Sequence, residues 1–332
     1  MSSSPDKFKG VNLVLGGLGF IGSNLVSDIL GMGERCLVID NEILGSSKFI
    51  NISEVDGRLD VLKLDASLQQ NWEEICRHLI NERVRVWHLA ANSDISLGGK
   101  TTLPDYQNTL QTSVLLAENL EKFKCVGLIF SSSSAVYGDL NGDVGYREDQ
   151  MCLPASFYGA CKLASEHILQ IACKRLSIPI WSFRFANIVG APATHGVIFD
   201  LIHKLVKDTS KLQVLGNGEQ RKTYMHVKEL IFLMREFLKF PDGGVWNLGP
   251  GDGGIMVKDL ARMVVEHISP SAQIAFGEQA IGWPGDVSIA IMNCEKMKSV
   301  TDFTLMGSSK SVHRAVHEIA DQLGIGTFCD SV

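Results

Sequence analysis

The sequence predicts an α/β fold in which a doubly wound parallel sheet is followed by a smaller C-terminal α/β domain. The first half alternates short apolar runs with helical stretches, which is the pattern of a parallel sheet. The runs 11–15 and 36–39 are almost continuously apolar, as expected of strands buried on both faces. Beyond about residue 187, loops containing glycine and proline separate shorter elements. We therefore expect a first domain over 1–187, which some later strands can rejoin, and a second over 188–332.

The individual elements follow from the spacing of apolar residues. Parallel strands are short and apolar, whereas the stretches between them carry apolar residues at helical spacing. No internal repeat or low-complexity segment interrupts this order. We predict strands over 12–16, 35–40, 59–64, 85–89, 127–131 and 180–185, and helices over roughly 20–30, 68–81, 104–123 and 157–176.

Composition narrows the functional class. The 332 residues are 45% hydrophobic and 20% charged, and the formal net charge is −6. This balance argues against a general nucleic-acid or anionic-membrane surface. The eight cysteines form no CxxC pair and have no metal-ligand spacing, so we expect reduced thiols, no disulfide framework and no metal site.

The sequence favours a soluble cytoplasmic protein with no membrane partner. The first residues lack the apolar core of a signal peptide. Likewise, no uncharged apolar stretch approaches the ~20 residues that cross a bilayer.

A glycine-rich segment follows the first predicted strand and opens an apolar helix. It reads Gly16-Gly-Leu-Gly19-Phe20-Ile21-Gly22. Gly16 permits the tight turn, Gly19 lets the backbone approach a pyrophosphate, and Gly22 lets helix and strand pack closely. Because the first amides of a helix are unpaired, they can bind that anion. The segment predicts a dinucleotide site of the Rossmann type.

Three further strand ends extend the predicted dinucleotide site. Asp40 ends the second strand, about 20 residues after the glycine segment, where a carboxylate binds ribose hydroxyls and repels a 2′-phosphate. This favours NAD over NADP, although Asp40 could instead cap a turn. Asp65 ends the third strand, where it or a neighbouring amide can reach the adenine, and His88 ends the fourth as a packed histidine. The predicted contacts at these ends are Asp40, Asn41, Asp65, Ala66, Leu89, Ala90 and Ala91.

A second constellation predicts catalysis. Tyr158 and Lys162 lie four residues apart, on one face of a predicted helix. A free tyrosine has a pKa of about 10, and a nearby lysine and a nicotinamide cation stabilise its phenolate as a base. The fifth strand runs into four serines, 131–134, whose hydroxyls can complete a proton-transfer network. Either feature alone fits a surface pair or a polar turn, but together they indicate an active site.

These residues resemble the extended short-chain dehydrogenases/reductases, specifically the nucleotide-sugar epimerase branch. The resemblance covers nearly the whole chain and keeps the order of the family's motifs. They are GGLGFIG, the acidic end of strand two, HLAA, SSSSAVYG, YGACK, the stretch 184–190, the stretch 216–227, and the loop 282–287 of UDP-glucose 4-epimerase-like members.

The resemblance implies roles for individual residues. Tyr158 would be the base, Lys162 its partner and holder of the nicotinamide ribose, and Ser133 the third catalytic hydroxyl. Asn187 would help to hold the substrate diphosphate.

The residues expected to bind the substrate phosphates depart from the family pattern. Lys222, with Arg221 beside it, would neutralise phosphate charge. Trp283 stands where many epimerases have an arginine, close to Asp286, so one clamp is weaker or moved. A tryptophan there can stack on a base or sugar, or simply pack.

The implied reaction is NAD-dependent epimerisation of a nucleotide-diphosphate sugar at C4, through a 4-keto intermediate. The alternatives are a dehydratase or keto-sugar reductase of the same fold, and a non-catalytic NAD-binding sensor. Family dehydratases carry carboxylates directly after the catalytic Ser or Thr, where this chain has Ser134 and Ala135. A reductase would often prefer NADP, and a sensor would not need all of Ser133, Tyr158 and Lys162. Apolar residues on helices 104–123 and 157–176 favour a helix-bundle homodimer.

Overall fold

The structure, a computed structural model, describes residues 7–50, 57–92, 101–139, 145–282 and 285–325. Its strands are β1 (Val11–Leu15), β2 (Arg35–Asp40), β3 (Leu59–Lys63), β4 (Arg83–His88), β5 (Lys124–Ser131), β6 (Ile180–Phe185), β7 (Asn187–Val189), β8 (Lys211–Val214), β9 (Arg221–Lys222), β10 (Tyr224–His226), β11 (Gly244–Leu248), β12 (Ile255–Met256), β13 (Gln273–Phe276) and β14 (Ile289–Ala290). Its helices are α1 (Phe20–Gly31), α2 (Trp72–Arg77), α3 (Leu103–Asp105), α4 (Thr112–Asn119), α5 (Phe157–Leu176), α6 (Val197–Lys207), α7 (Val227–Glu236), α8 (Val257–Ile268), α9 (Glu295–Lys298) and α10 (Ser308–Gln322).

Seven of the strands form one parallel sheet in the order β11-β6-β5-β4-β1-β2-β3. The predicted doubly wound parallel sheet is thus confirmed. The chain runs outward from β1 in both directions, so β1 and β4 flank the point where the strand order reverses. In open α/β sheets, ligands bind at the carboxyl ends of the strands at such a point.

Alternate residues of β1 pack against opposite layers of helices. Val14 belongs to a core shared with α1 and α7. Leu13 and Leu15 belong to a core shared with α2, α4 and α5. All five residues of β1 are buried, because helices cover both faces of the sheet.

The later part of the chain builds a separate core and also returns to the first sheet. Helices α6, α8 and α10 pack their apolar faces together with β8. Short sheets of two or three strands surround this core. By contrast, β11 pairs with β6 and forms an edge of the seven-stranded sheet.

Two predicted helices differ from their expected form. The stretch 68–81 contains one 3-10 turn and the six-residue α2, since the side chains of Asn71 and Trp72 bond to the carbonyls of Asp65 and Ala66. The stretch 104–123 is interrupted by a π-helical segment, Tyr106–Gln111. There, side-chain hydroxyls that follow this segment donate back to its carbonyls, which loosens regular helical bonding.

Across the described residues, no helix is both long and apolar enough to span a membrane. The same part of the chain contains no group of three or more His, Cys, Asp or Glu side chains that could hold a metal ion. Its seven cysteines are free thiols.

Candidate active site

The glycine segment forms a tight turn between β1 and α1. Gly16 has a φ of 79°, and a Cβ there would lie 2.8 Å from the Ala90 backbone. A Cβ on Gly22 would lie 2.1 Å from the Gly16 carbonyl oxygen. These contacts press α1 against β1 and against the loop after β4, so neither position tolerates a side chain.

The first turn of α1 is suited to an anion. Gly19 is the N-cap residue and provides no side-chain hydrogen bond, and no acidic residue lies in the first turn. The amides of Phe20, Ile21 and Gly22 begin a 12-residue helix. A Cβ on Gly19 would meet only the Gly16 carbonyl, at 3.5 Å, so ligand atoms can approach the backbone there. This arrangement fits the pyrophosphate of a dinucleotide.

Asp40 supports this turn through its carboxylate. Its Oδ2 accepts from the Leu18 amide at 2.9 Å and its Oδ1 from the Glu42 amide at 2.8 Å. Burial raises the pKa of this carboxyl, and the two amide bonds oppose that rise. The carboxylate therefore caps a turn and also faces the glycine segment, and its spare lone pairs can accept further bonds.

The remaining strand ends converge on the same edge of the sheet. Asn41 donates to Asp65 at 3.4 Å, which links the ends of β2 and β3. Ala66 is buried and its carbonyl accepts from Trp72. The Leu89 amide bonds to β1 at the Leu15 carbonyl, and half-buried Ala90 and Ala91 follow.

Tyr158 and Ser133 come from different elements and meet at this edge. Ser156 caps α5, which places Tyr158 in the first helical turn. Ser133 begins a 3-10 turn after β5 and accepts from the Ala135 amide at 3.1 Å. Burial raises the pKa of Tyr158 to about 12, the neighbouring Ser133 side chain lowers it, and the charge of Asp105 raises it.

Lys162 lies one turn further along α5 and is 2% exposed. Its Nζ donates to the Ser131 carbonyl at 2.6 Å and lies 5.8 Å from the centroid of the Tyr158 ring. Burial lowers the pKa of Lys162 to about 7. Its Nζ also lies 5.1 Å from the centroid of the Phe130 ring, and in the described part of the chain it has no carboxylate partner.

The predicted phosphate-binding residues lie in the C-terminal part of the chain. Lys222 forms a buried ion pair with Asp286, and Arg221 precedes it in β9. Asp286 also accepts from the amides of Gly282 and Val287, which shapes the loop. Trp283 lies outside the described residues.

Asn187 joins the main sheet to the C-terminal part. Both its backbone amide and its side-chain amide donate to the Thr223 carbonyl, each at 3.1 Å. The side chain therefore supports the pairing of β7 with β10.

Next to Ser133 and Lys162 lies a buried network that the sequence motifs did not predict. Glu166 accepts from Ser132 at 2.7 Å and pairs with Arg184 through two bonds, of 2.6 and 3.2 Å. Arg184 also donates to Tyr137, which in turn donates to Asn247. Glu166 lies four residues after Lys162, and this helical spacing was the available signal. The network fixes the serine turn that carries Ser133.

Comparisons with known proteins agree with this geometry. A model of the NAD dependent epimerase/dehydratase family matches residues 12–249, so the chain belongs to that family. The chain is 28% identical over 312 residues to a UDP-glucose 4-epimerase of Lacticaseibacillus casei, covering 86% of this chain and 89% of the relative. The resemblance to extended short-chain dehydrogenases/reductases is confirmed.

Solved structures show the same fold. A UDP-galactose 4-epimerase structure superposes with a TM-score of 0.83 at 27% identity, covering 94% of this chain and 99% of that one. A Bacillus cereus UDP-glucuronic acid 4-epimerase, in complex with UDP-glucuronic acid and NAD, gives a TM-score of 0.80 at 25% identity, with the same coverage. The cofactor is NAD, as the glycine segment and Asp40 predicted.

Proposed function

We propose that this protein epimerises a nucleotide-diphosphate sugar at C4, using NAD and the group Ser133, Tyr158 and Lys162. The observation that carries the proposal is that Lys162 and Ser133 both lie beside Tyr158: the Lys162 Nζ is 5.8 Å from its ring centroid, and Ser133 lowers its pKa. When bound, NAD accepts a hydride from the sugar and returns it. Tyr158 removes and restores the hydroxyl proton, and Ser133 holds the same oxygen.

The dinucleotide would bind at the carboxyl ends of the strands of the seven-stranded sheet. The first amides of α1 would bind the pyrophosphate, and Asp40 the adenosine ribose. Asn41, Asp65 and Ala66 would border the adenine. Leu89, Ala90 and Ala91 would pass beneath the cofactor, and Lys162 would bind the nicotinamide ribose.

The turn after Ser133 favours epimerisation over dehydration. Ser134 and Ala135 occupy the positions where family dehydratases carry carboxylates. Neither side chain can exchange a proton at C5 or C6 in that way. A dehydratase or a keto-sugar reductase remains the alternative reaction, because the family includes both epimerases and dehydratases.

The substrate diphosphate would lie between β7 and the loop 285–287. Asn187 and Arg221 would bind its oxygens, and Lys222 would turn from Asp286 to the phosphate. Trp283 would contact the base or the sugar. The relatives act on UDP-glucose, UDP-galactose and UDP-glucuronic acid, so uridine diphosphate hexoses are the first candidates.

We also propose a cytoplasmic homodimer. Leu103, Tyr106, Phe157 and Ile171 are each at least half exposed and lie on α3, α5 and the π-helical segment. Packing these apolar surfaces against a second copy would remove them from water. Light scattering would report a dimer, and Ile171→Glu should shift it towards monomer.

The reaction is tested by proton NMR with a panel of nucleotide-sugars in deuterated water. A C4 epimer free of solvent deuterium supports internal return of the hydride. Deuterium at C3, C5 or C6, or an accumulating keto product, contradicts a simple 4-epimerase and favours dehydration. No turnover across the panel, with NAD bound, would favour a binding role.

A further inference from the structure

Asp105 is a buried carboxyl that none of the motifs above explains. It ends α3 and is 0% exposed. Its Oδ1 accepts from the Asn92 side-chain amide at 2.8 Å. Within the described residues, its Oδ2 has no hydrogen-bond partner. An unsatisfied buried carboxylate oxygen is costly, and such groups persist where they serve a site.

Its location brings Asp105 to the catalytic helix. Helix α3 packs against α5, and four residues after Asp105 the Thr109 carbonyl accepts from the Ser165 hydroxyl of α5, one turn beyond Cys161. The charge of Asp105 raises the pKa of both Tyr158 and Cys161, in addition to the larger effect of burial. The charge of Asp105 therefore favours the protonated phenol of Tyr158. A catalytic base must instead lose its proton.

The groups that could oppose Asp105 are few. Ser133 lowers the pKa of Tyr158. The Lys162 ammonium lies 5.8 Å from the ring centroid, but its own pKa is lowered to about 7, so near neutrality part of the lysine population is uncharged. Burial raises the pKa of Asp105, while the bond from Asn92 lowers it and favours the carboxylate.

We propose that Asp105 is a positioning residue for proton transfer: its buried carboxylate keeps the proton on the Tyr158 hydroxyl until a positive charge enters the site. Deprotonation of Tyr158 is thereby coupled to occupancy by the oxidised cofactor, and the phenol is ready to return its proton when the positive charge is lost. The inference deepens the proposed function and rests on the role of Tyr158 as base.

The direct test is a spectrophotometric titration of the Tyr158 phenolate in NAD-saturated protein, with Tyr158→Phe as the blank. Asp105→Asn keeps an oxygen for Asn92 and removes the charge. We expect its phenolate to form at lower pH, by about one pH unit, as for loss of a neighbouring like charge. Asp105→Glu retains the charge and should titrate close to the parent protein.

The matched control is Glu229→Gln. Glu229 is also a buried carboxyl with one bonded oxygen, which accepts from the Met306 amide at 2.7 Å, and one oxygen without a partner in the described residues. It lies on α7 and should leave the phenolate titration unchanged. If Asp105→Asn is unstable by thermal unfolding, Asp105→Ser provides a second neutral variant.

Once a substrate is identified, the pH profile of kcat/KM can be measured. Its acid limb should move to lower pH in Asp105→Asn by the same amount as the phenolate titration. An unchanged phenolate titration in folded Asp105→Asn, or an equal change in Glu229→Gln, overturns the inference. The titration needs no substrate. It therefore gives a result even if the nucleotide-sugar panel shows no turnover, and failure of the proposed reaction is distinguished from failure of this coupling.

Discussion

The sheet half and the C-terminal half of the molecule each contain a buried lysine, and the two lysines differ in their partners. Lys162 bonds to the Ser131 carbonyl and has no carboxylate partner among the described residues. Lys222 is paired with Asp286, whose side chain is 3% exposed. The same residue type is therefore an uncompensated charge at one site and a neutralised one at the other.

The difference shows how each half is prepared for ligands. A charge without a counter-ion in a dry site acts strongly on nearby groups, and Lys162 contributes to lowering the pKa of His88. A paired lysine already has its counter-ion, so binding a phosphate requires exchange of partners. We infer that the catalytic edge is preorganised and that the phosphate clamp is assembled during binding.

The largest expected effect is at Tyr158. Tyr158→Phe removes the proposed base and should lower kcat by about 10²- to 10⁴-fold, measured by NMR turnover with NAD bound. Tyr106→Phe, at an exposed tyrosine, is the control and should change kcat little. Comparable rates for Tyr158→Phe and the parent would remove Tyr158 from the mechanism.

The ion pair of the second half can be broken directly. Asp286→Asn leaves the Lys222 ammonium buried beside a neutral amide, and we expect a loss of about 3 kcal/mol in unfolding free energy by denaturant titration. Asp149→Asn breaks an exposed pair with Arg147 and should leave the unfolding free energy almost unchanged, because solvent screens that pair. Equal losses in the two variants would mean that Lys222 is not held by its partner.

The glycine segment offers a matched pair of variants within one helix. Gly22→Ala places a Cβ 2.1 Å from the Gly16 carbonyl oxygen and should cost about 1–3 kcal/mol, with weaker NAD binding by calorimetry. Gly31→Ala, where a Cβ meets nothing within 4 Å, should stabilise the protein by about 0.5–1 kcal/mol. If Gly22→Ala binds NAD as tightly as the parent, the close contact is not required.

A further prediction concerns the pH dependence of stability in the sheet half. Burial, followed by the charge of Lys162, lowers the pKa of His88 to about 3, below its unfolded value of about 6.5. The unfolded state therefore binds the proton first. Stability from neutral His88 is fully present above pH ~6.5 and is lost as the pH falls towards about 3, by up to about 1.4 kcal/mol per pH unit.

Denaturant titrations between about pH 7 and pH 5 should detect this loss, since most carboxylates remain ionised in that window. His88→Gln keeps a donor for Ser113, which now bonds to Nε2 at 2.8 Å, and should flatten the profile. An identical slope in His88→Gln would assign the pH dependence to other groups.

Much of the first half of the chain could be predicted from sequence, because its strands and helices follow from patterns of residues that are close together in the chain. The strand 35–40 and the helix 157–176 have the bounds expected from apolar runs, and the Gly16–Gly22 spacing carries its own backbone requirements. The π-helical segment within 104–123 was not predicted, since it depends on hydroxyl bonds to particular carbonyls. The return of β11 to the sheet could be anticipated only as a possibility.

The sequence by itself determined the order of the strands along the chain and the glycine segment after β1, and it predicts the group Ser133, Tyr158 and Lys162. Each of these is a pattern of residue types at short spacing. Only the tertiary structure decided that Lys222 is paired with Asp286, and that Asp105, whose Oδ2 has no hydrogen-bond partner among the described residues, lies on a helix that packs against α5. The physical reason is that a charge's effect depends on burial and on the partners that folding brings near it, and these partners are far apart in the chain.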